Sequence, residues 1–296
     1  MKASITKIIN QVKIFGQMVK FSHTIFALPF AMSSFVLSLR EVQFKWISLL
    51  WILIAMVGAR SSAMGFNRII DSEYDLLNPR TNNREIPQNK ISKIEAFFFV
   101  IIFSILFIMS SAMISKICFI LSFPVLFLLL FYSYAKRFTN YCHIYLGFVI
   151  SLAPLGTWIA MTGKFSFSIV LLSLALMTYI AGFDILYACL DIDFDKKHGL
   201  YSIPVEFGLI NAMRISSLLH IFSFIFFITM YFVFNMSYIY LISIFIIGTL
   251  YIWEHILVDP TNLDKIDFAF YNINAIISVI LFLGILGDEI LRFKGI

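Results

Sequence analysis

The chain has 296 residues, of which 60% are hydrophobic and only 13% are charged. Soluble domains average about 25% charged residues, so this composition excludes an ordinary soluble protein and indicates a chain that lies in lipid. The net charge of +5 does not imply a nucleic-acid partner, because basic loops of membrane proteins set orientation and contact anionic headgroups. The three cysteines form no C-x-x-C pair, so we expect buried apolar side chains instead of a zinc site or disulfides.

The first twenty residues alternate basic and apolar side chains. Lys7 and Lys13 stand among residues such as Ile8 and Val12, a pattern typical of an amphipathic helix that lies on the headgroups. A signal peptide is the alternative interpretation. No small-residue cleavage site follows Leu39, so we expect the first apolar run to stay in the mature protein.

Nine apolar runs follow, each near the roughly 20 residues that a membrane-spanning helix needs. They are continuously apolar, whereas the strands of a membrane β-barrel would alternate with a period of two. The sequence therefore predicts an all-α bundle of about nine transmembrane helices, in a single domain over residues 1–296. The runs are 21–39, 46–67, 94–114, 117–135, 142–161, 167–190, 212–233, 236–254 and 269–289.

Basic residues predict the orientation of these helices. With the N-terminus in the cytoplasm, a clear majority of the 22 lysines and arginines falls on the cytoplasmic side. This bias favours the orientation over its inverse.

A group of polar side chains ends the second predicted span. Asn67, Asp71 and Asp75 follow one another at intervals of four. A helix that continues through them places all three on one face.

A second acidic group ends the sixth predicted span. Asp184, Tyr187, Asp191 and Asp195 fall on one helical stripe, whereas Asp193 points elsewhere. The two spans are four helices apart, so both groups emerge on the same side of the membrane. The predicted orientation makes that side the cytoplasm, where the two groups can face each other across one cavity.

Carboxylates grouped in this way require cations. Like charges at i,i+4 destabilise a helix by about 0.2–0.5 kcal/mol per pair, and an aspartate near mid-membrane costs about 2.5–3.5 kcal/mol. Carboxylates without histidine or cysteine suit Mg²⁺, which also binds phosphate oxygens. Basic loops beside the groups add the charge that a diphosphate needs, although a solvated collar of charge is the alternative interpretation. The basic residues are Arg80, Arg84, Lys136, Arg137, Lys196 and Lys197.

At these residues the sequence resembles the UbiA family of intramembrane aromatic prenyltransferases. The family pattern N-x-x-x-D-x-x-x-D on the second helix matches residues 67–75, and D-x-x-x-D on the sixth matches residues 191–195. The segments 78–81, 84–87 and 132–137 also look like the family. Arg68 departs from it, because many members have an aspartate directly after the asparagine.

The resemblance implies a nine-helix enzyme that transfers a polyprenyl group from polyprenyl diphosphate to a hydroxylated aromatic acid. Mg²⁺ is the expected cofactor, and the donor is expected to ionise to an allylic cation that the phenol ring attacks. The expected location is a bacterial cytoplasmic membrane, with the site facing the cytoplasm. The expected catalytic and metal-binding residues are Asp71, Asp75, Asp191 and Asp195, with Asn67 as a further ligand of metal and substrate. The other expected substrate contacts are Lys136, Arg137, Arg80, Arg84, Lys196 and Tyr187.

Several alternatives stay open at this point. The expected acceptor is 4-hydroxybenzoate, in ubiquinone synthesis, and a dihydroxynaphthoate, in menaquinone synthesis, is the second candidate. A cation-coupled transporter would also carry carboxylates in its helices, although mid-span helix breaks would be more typical. Arg60 and Asp184 lie deeper in their spans and are either functional or paired with each other. His143 is interpreted as a polar residue at a helix end.

Overall fold

The computed structural model describes residues 11–261 and 263–295, apart from the side chain of Phe21. Regular structure in these ranges is helical and includes no β-strand, which confirms the predicted all-α fold class. Nine helices of eleven residues or more lie in the described ranges. They are α1 (Leu28–Ser38), α2 (Trp46–Ile70), α3 (Lys93–Ile114), α4 (Lys116–Phe131), α5 (Cys142–Thr162), α6 (Phe167–Ala188), α7 (Leu209–Val233), α8 (Tyr238–Leu257) and α9 (Ile266–Phe293).

Eight of these described helices, α2 to α9, are long and apolar enough to cross a membrane when the 3-10 turn Tyr132–Arg137 is counted with α4. Large apolar side chains such as Phe98 and Ile102 are exposed along them, as expected for surfaces that contact lipid. The protein is therefore an integral membrane protein.

The first predicted run differs from the prediction. Residues Phe21–Phe26 form a 3-10 turn, and α1 contains only 11 residues. Pro29 lies in the first turn of α1, where its fixed φ and missing N–H favour a helix start and oppose continuation from the preceding turn. A single spanning helix over 21–39 is thus replaced by a turn and a short apolar helix.

The N-terminal segment is described only in part. Residues 1–10 of the predicted amphipathic helix lie outside the described residues, and residues 11–18 are helical. Met18 and Val19 are buried against Ile86, Ile91 and Ala96. Lys13 is exposed, so the described part has one buried and one exposed side.

The chain divides into two compact units, and each is described here by itself. The first comprises the residues up to Thr24 and Leu50–Tyr134, and the second comprises Ile25–Leu49 and Ala135–Ile296. The prediction of a single domain stays a prediction.

Close approaches between helices occur at glycines in both units. In the first unit, a Cβ on Gly58 would lie 2.8 Å from the backbone nitrogen of Phe107. In the second, a Cβ on Gly147 would lie 2.2 Å from the carbonyl oxygen of Met177, so only glycine lets α5 approach α6 this closely.

Candidate active site

The first acidic motif keeps helical spacing although α2 ends before its first aspartate. The backbone N–H of Asp71 donates to the carbonyl of Asn67 at 2.9 Å, and that of Asp75 donates to the carbonyl of Asp71 at 2.8 Å. The short helix Ser72–Leu77 carries Asp75. The Asn67 side chain donates from Nδ2 to Oδ2 of Asp71 at 2.7 Å, so the predicted neighbours at i,i+4 are in contact.

Asp75 is the buried member of this motif. Its side chain is only 7% exposed, and Arg84 Nη1 donates to its Oδ1 at 2.5 Å. The Thr81 hydroxyl donates to the Asp75 carbonyl at 3.2 Å and so ties the following loop to the short helix. Oδ2 of Asp75 is buried and has no hydrogen-bond partner among the described residues. A carboxylate oxygen in that state is open to a further cation.

Arg68, which departs from the pattern of many family members, has a structural contact. Its guanidinium is buried, and Nε donates to the carbonyl of Met18 at 3.0 Å. Arg68 therefore fixes the N-terminal helical segment against the end of α2.

The second acidic motif lies beyond the end of α6. The helix tightens into a 3-10 turn at Cys189–Asp191 and then continues as the short helix Ile192–Lys197. Asp195 is buried, with 3% of its side chain exposed, and Lys136 Nζ donates to its Oδ2 at 3.1 Å. Asp191, at the end of the 3-10 turn, is half-buried, whereas Asp193 is exposed.

Lys136 is held by its backbone as well as by its ammonium group. Its carbonyl accepts a hydrogen bond of 2.8 Å from the N–H of Tyr201, in the loop that follows the motif. Gly199 provides the positive φ of 66° at which this loop turns. The N–H of Leu200 then donates to the Asp195 carbonyl at 2.9 Å, so the loop, Lys136 and Asp195 form one assembly.

The remaining predicted contacts differ in exposure. Arg80 and Arg137 are half-buried, whereas Lys196 is exposed. The Tyr187 ring stacks on Phe270, with centroids 4.2 Å apart. The roles predicted for these residues stay predictions.

One pair in the second unit was missed by sequence reasoning. Nδ1 of His143 lies 2.7 Å from Oδ2 of Asp184, and only 1% of the His143 side chain is exposed. Two ionisable residues inside predicted spans were a signal for this pair, since such residues need partners in lipid. Arg60, in the first unit, donates from Nη2 to the Lys20 carbonyl at 3.0 Å.

The donor set of the two motifs suits a hard cation. Within residues 11–261 and 263–295, no three His, Cys, Asp or Glu side chains are grouped as ready metal ligands. In each motif one carboxylate pairs with a basic side chain instead, Asp75 with Arg84 and Asp195 with Lys136. All the acidic donors are oxygens, and Oδ2 of Asp75 has no partner, so these residues fit Mg²⁺ bound together with a phosphate.

Comparison with known proteins decides the family. The model of the UbiA prenyltransferase family matches residues 27–278. The chain belongs to this family. The protein is therefore a prenyltransferase, and the alternative of a cation-coupled transporter is wrong.

Individual members of the family are similar to this protein over most of its length. The 4-hydroxybenzoate octaprenyltransferase of Blochmanniella floridana is 30% identical over 234 residues, which are 79% of this chain and 82% of that protein. The apo structure of a UbiA homologue from Aeropyrum pernix K1 is 31% identical, with a TM-score of 0.82 over 90% of this chain and 98% of that one. A UbiA homologue from Archaeoglobus fulgidus, bound to GPP and Mg²⁺, shares the fold at 20% identity, with a TM-score of 0.65 over 92% of this chain and 99% of that one.

Proposed function

We propose that the protein transfers a polyprenyl group from polyprenyl diphosphate to 4-hydroxybenzoate in quinone biosynthesis. The observation that carries this proposal is the repeated arrangement of a buried aspartate paired with a basic side chain, once in each acidic motif. The relative from Blochmanniella floridana, named a 4-hydroxybenzoate octaprenyltransferase, supports this acceptor.

Both acidic motifs are proposed to act on the same donor molecule. Asn67, Asp71 and Asp75 would supply oxygen ligands to Mg²⁺ from one motif, and Asp191 and Asp195 would supply them from the other. When bound, Mg²⁺ would neutralise the charge that grows on the leaving diphosphate. The Archaeoglobus fulgidus homologue, solved with GPP and Mg²⁺ bound, supports this cofactor.

Basic side chains are proposed to hold the diphosphate while the allylic C–O bond breaks. Arg84 and Lys136 are already placed by their aspartates, so they need little rearrangement when negative charge develops. Arg80, Arg137 and Lys196 are proposed as further contacts of the same group. Water must be kept from this site, because it would capture the allylic cation as prenol.

The apolar helices are proposed to hold the polyprenyl tail within the bilayer. The proposed location is the bacterial cytoplasmic membrane with the diphosphate site on the cytoplasmic side, as the distribution of basic residues predicts.

The test is an acceptor panel with the purified protein, labelled geranyl diphosphate and Mg²⁺. We expect a lipid-soluble prenylated hydroxybenzoate that EDTA abolishes and added Mg²⁺ restores. Dihydroxynaphthoates form the second arm of the panel. Turnover of dihydroxynaphthoates alone would assign the protein to menaquinone synthesis. Absence of a prenylated product with every aromatic acid, or full activity in EDTA, would contradict the proposal.

A further inference from the structure

A carboxylate of α6 lies outside the two motifs that the proposed function uses. Asp184 precedes Asp191 by seven residues, or two helical turns, and its side chain keeps 20% exposure. A hydrogen bond joins its Oδ2 to Nδ1 of His143, and Oδ1 makes none within the described residues. The side chain therefore has one oxygen fixed and one available.

His143 is enclosed, with only 1% of its side chain exposed. Its Nδ1 faces a carboxylate and so carries the proton, while Nε2 is buried and has no partner in the described part of the chain. This arrangement suits a residue that orients the Asp184 carboxylate, because a buried imidazole ring has little surface for contact with a substrate.

The Asp184 and His143 pair belongs to the same part of the second unit as the second acidic motif. The thiol of Cys142, the residue before His143, donates to the carbonyl of Tyr201 at 3.7 Å, in the loop that follows that motif. A group at Asp184 is thus close to the proposed diphosphate ligands of that unit without being one of them.

Aromatic rings lie on both sides of Asp184 along α6. Phe183 meets Phe270 edge to face with centroids 5.1 Å apart, and Tyr187 stacks on the same Phe270 ring. Phe26 packs against Phe183 at 5.3 Å. Such a group of rings favours contact with an aromatic acceptor, and Asp184, on the same helix, supplies a carboxylate that can accept its hydroxyl proton.

We propose that Asp184, positioned by His143, is the proton acceptor for the hydroxyl group of the aromatic substrate. This inference rests on the proposed function. Asp184 would be a catalytic residue, and His143 a positioning residue.

The proposed step conserves atoms and charge. The donor C–O bond breaks and its electron pair leaves with the diphosphate. A ring carbon ortho to the hydroxyl bonds to the allylic carbon, while the O–H electrons form a C=O bond and the proton passes to Asp184. The ring then loses its C–H proton to the released diphosphate, and the carbonyl oxygen recovers the proton from Asp184. The ring is aromatic again and Asp184 is a carboxylate again.

The experiment compares Asp184→Asn with Asp193→Asn, the same substitution at an exposed position of the adjoining segment. We measure kcat and KM for 4-hydroxybenzoate across pH, and Mg²⁺-dependent binding of geranyl diphosphate. General-base catalysis contributes about 10²–10⁴-fold, so kcat of Asp184→Asn should fall by that order near neutral pH. The loss should shrink as pH rises and the acceptor ionises by itself, while donor binding stays unchanged. Asp193→Asn should lower kcat far less, because its side chain is exposed.

His143→Gln supplies an independent readout, because a glutamine amide can still donate to Asp184. We expect a smaller loss of kcat than in Asp184→Asn, with the same recovery at high pH. A loss in Asp184→Asn that is equal at all pH values, or that includes donor binding, would show a structural role and overturn the inference. If Asp184→Asn fails to fold, the pH profile of His143→Gln decides in the same way.

The two proposals fail differently. A wild-type protein that prenylates no aromatic acid would overturn the proposed function and this inference with it. An active wild type with an equally active Asp184→Asn would overturn the inference alone.

Discussion

In each acidic motif a buried aspartate pairs with a basic side chain, but the partners of the two pairs are separated by very different distances along the chain. In the first, Asp75 pairs with Arg84, only nine residues further on in the adjoining loop. In the second, Asp195 pairs with Lys136, which precedes it by 59 residues and lies in a different connection between helices. A local loop therefore completes the first motif, whereas the packing of distant helices completes the second.

This difference predicts which pair matters more for the stability of its unit. Arg84 constrains one loop that Thr81 already ties to Asp75. Lys136 joins two segments that are far apart in sequence, and its backbone also holds the loop after the motif. The chemical role of the two motifs is expected to be equal in spite of this.

The largest effect is expected from the aspartates themselves. Asp71→Asn and Asp191→Asn should each lower kcat by about 10²–10³-fold or more, because each removes a charge that is proposed to hold the ion and diphosphate. Membrane insertion should stay intact. The measurement is prenyl transfer by purified variants, with protein in the membrane fraction as the check on insertion.

Asp193→Asn is the matched control for this prediction, because it makes the same change on an exposed side chain beside the second motif. It should lower turnover far less. Near-normal turnover in Asp71→Asn or Asp191→Asn would remove that residue from the proposed set and break the equivalence of the two motifs.

A smaller effect is expected from the basic partners. Removing one partner of a buried ion pair destabilises a protein by about 3–5 kcal/mol, and partial exposure of Arg84 and Lys136 lowers that figure. Lys136→Met should lower the midpoint of thermal unfolding in detergent more than Arg84→Met, because Lys136 joins distant segments.

The control is Lys197→Met, because Lys197 is an exposed lysine after the second motif. This variant should leave the midpoint of thermal unfolding unchanged. Equal shifts for Arg84→Met and Lys136→Met would show that the local and the long-range pair stabilise equally. That result would contradict the distinction between the motifs.

Patterns within a few residues were sufficient to predict much of the fold and part of the site. Continuous apolar runs identified the helices α2 to α9, because lipid requires every backbone group to bond within its own helix. The spacing of Asn67 and Asp71 predicted that they share a helix face, and their side chains are in contact. The same reasoning placed Asp193 away from the stripe of Asp191 and Asp195.

The contacts that sequence reasoning could not supply depend on how helices pack. His143 and Asp184 are 41 residues apart and meet where α5 and α6 approach closely at Gly147. No local pattern records such an approach, although a glycine inside a membrane helix is one hint of it. The first predicted span is shorter than expected because Pro29 favours a helix that starts beside it. Counting apolar residues did not take this local effect into account.

The claim that both motifs act on one donor is tested most directly by a double-mutant cycle. Mg²⁺-dependent binding of geranyl diphosphate is measured for the wild type, Asp71→Asn, Asp191→Asn and the variant that carries both changes. Residues that act as one unit are not additive, so the double variant should bind little more weakly than either single variant. Losses of binding free energy that simply add, or full binding in one of the single variants, would contradict the account.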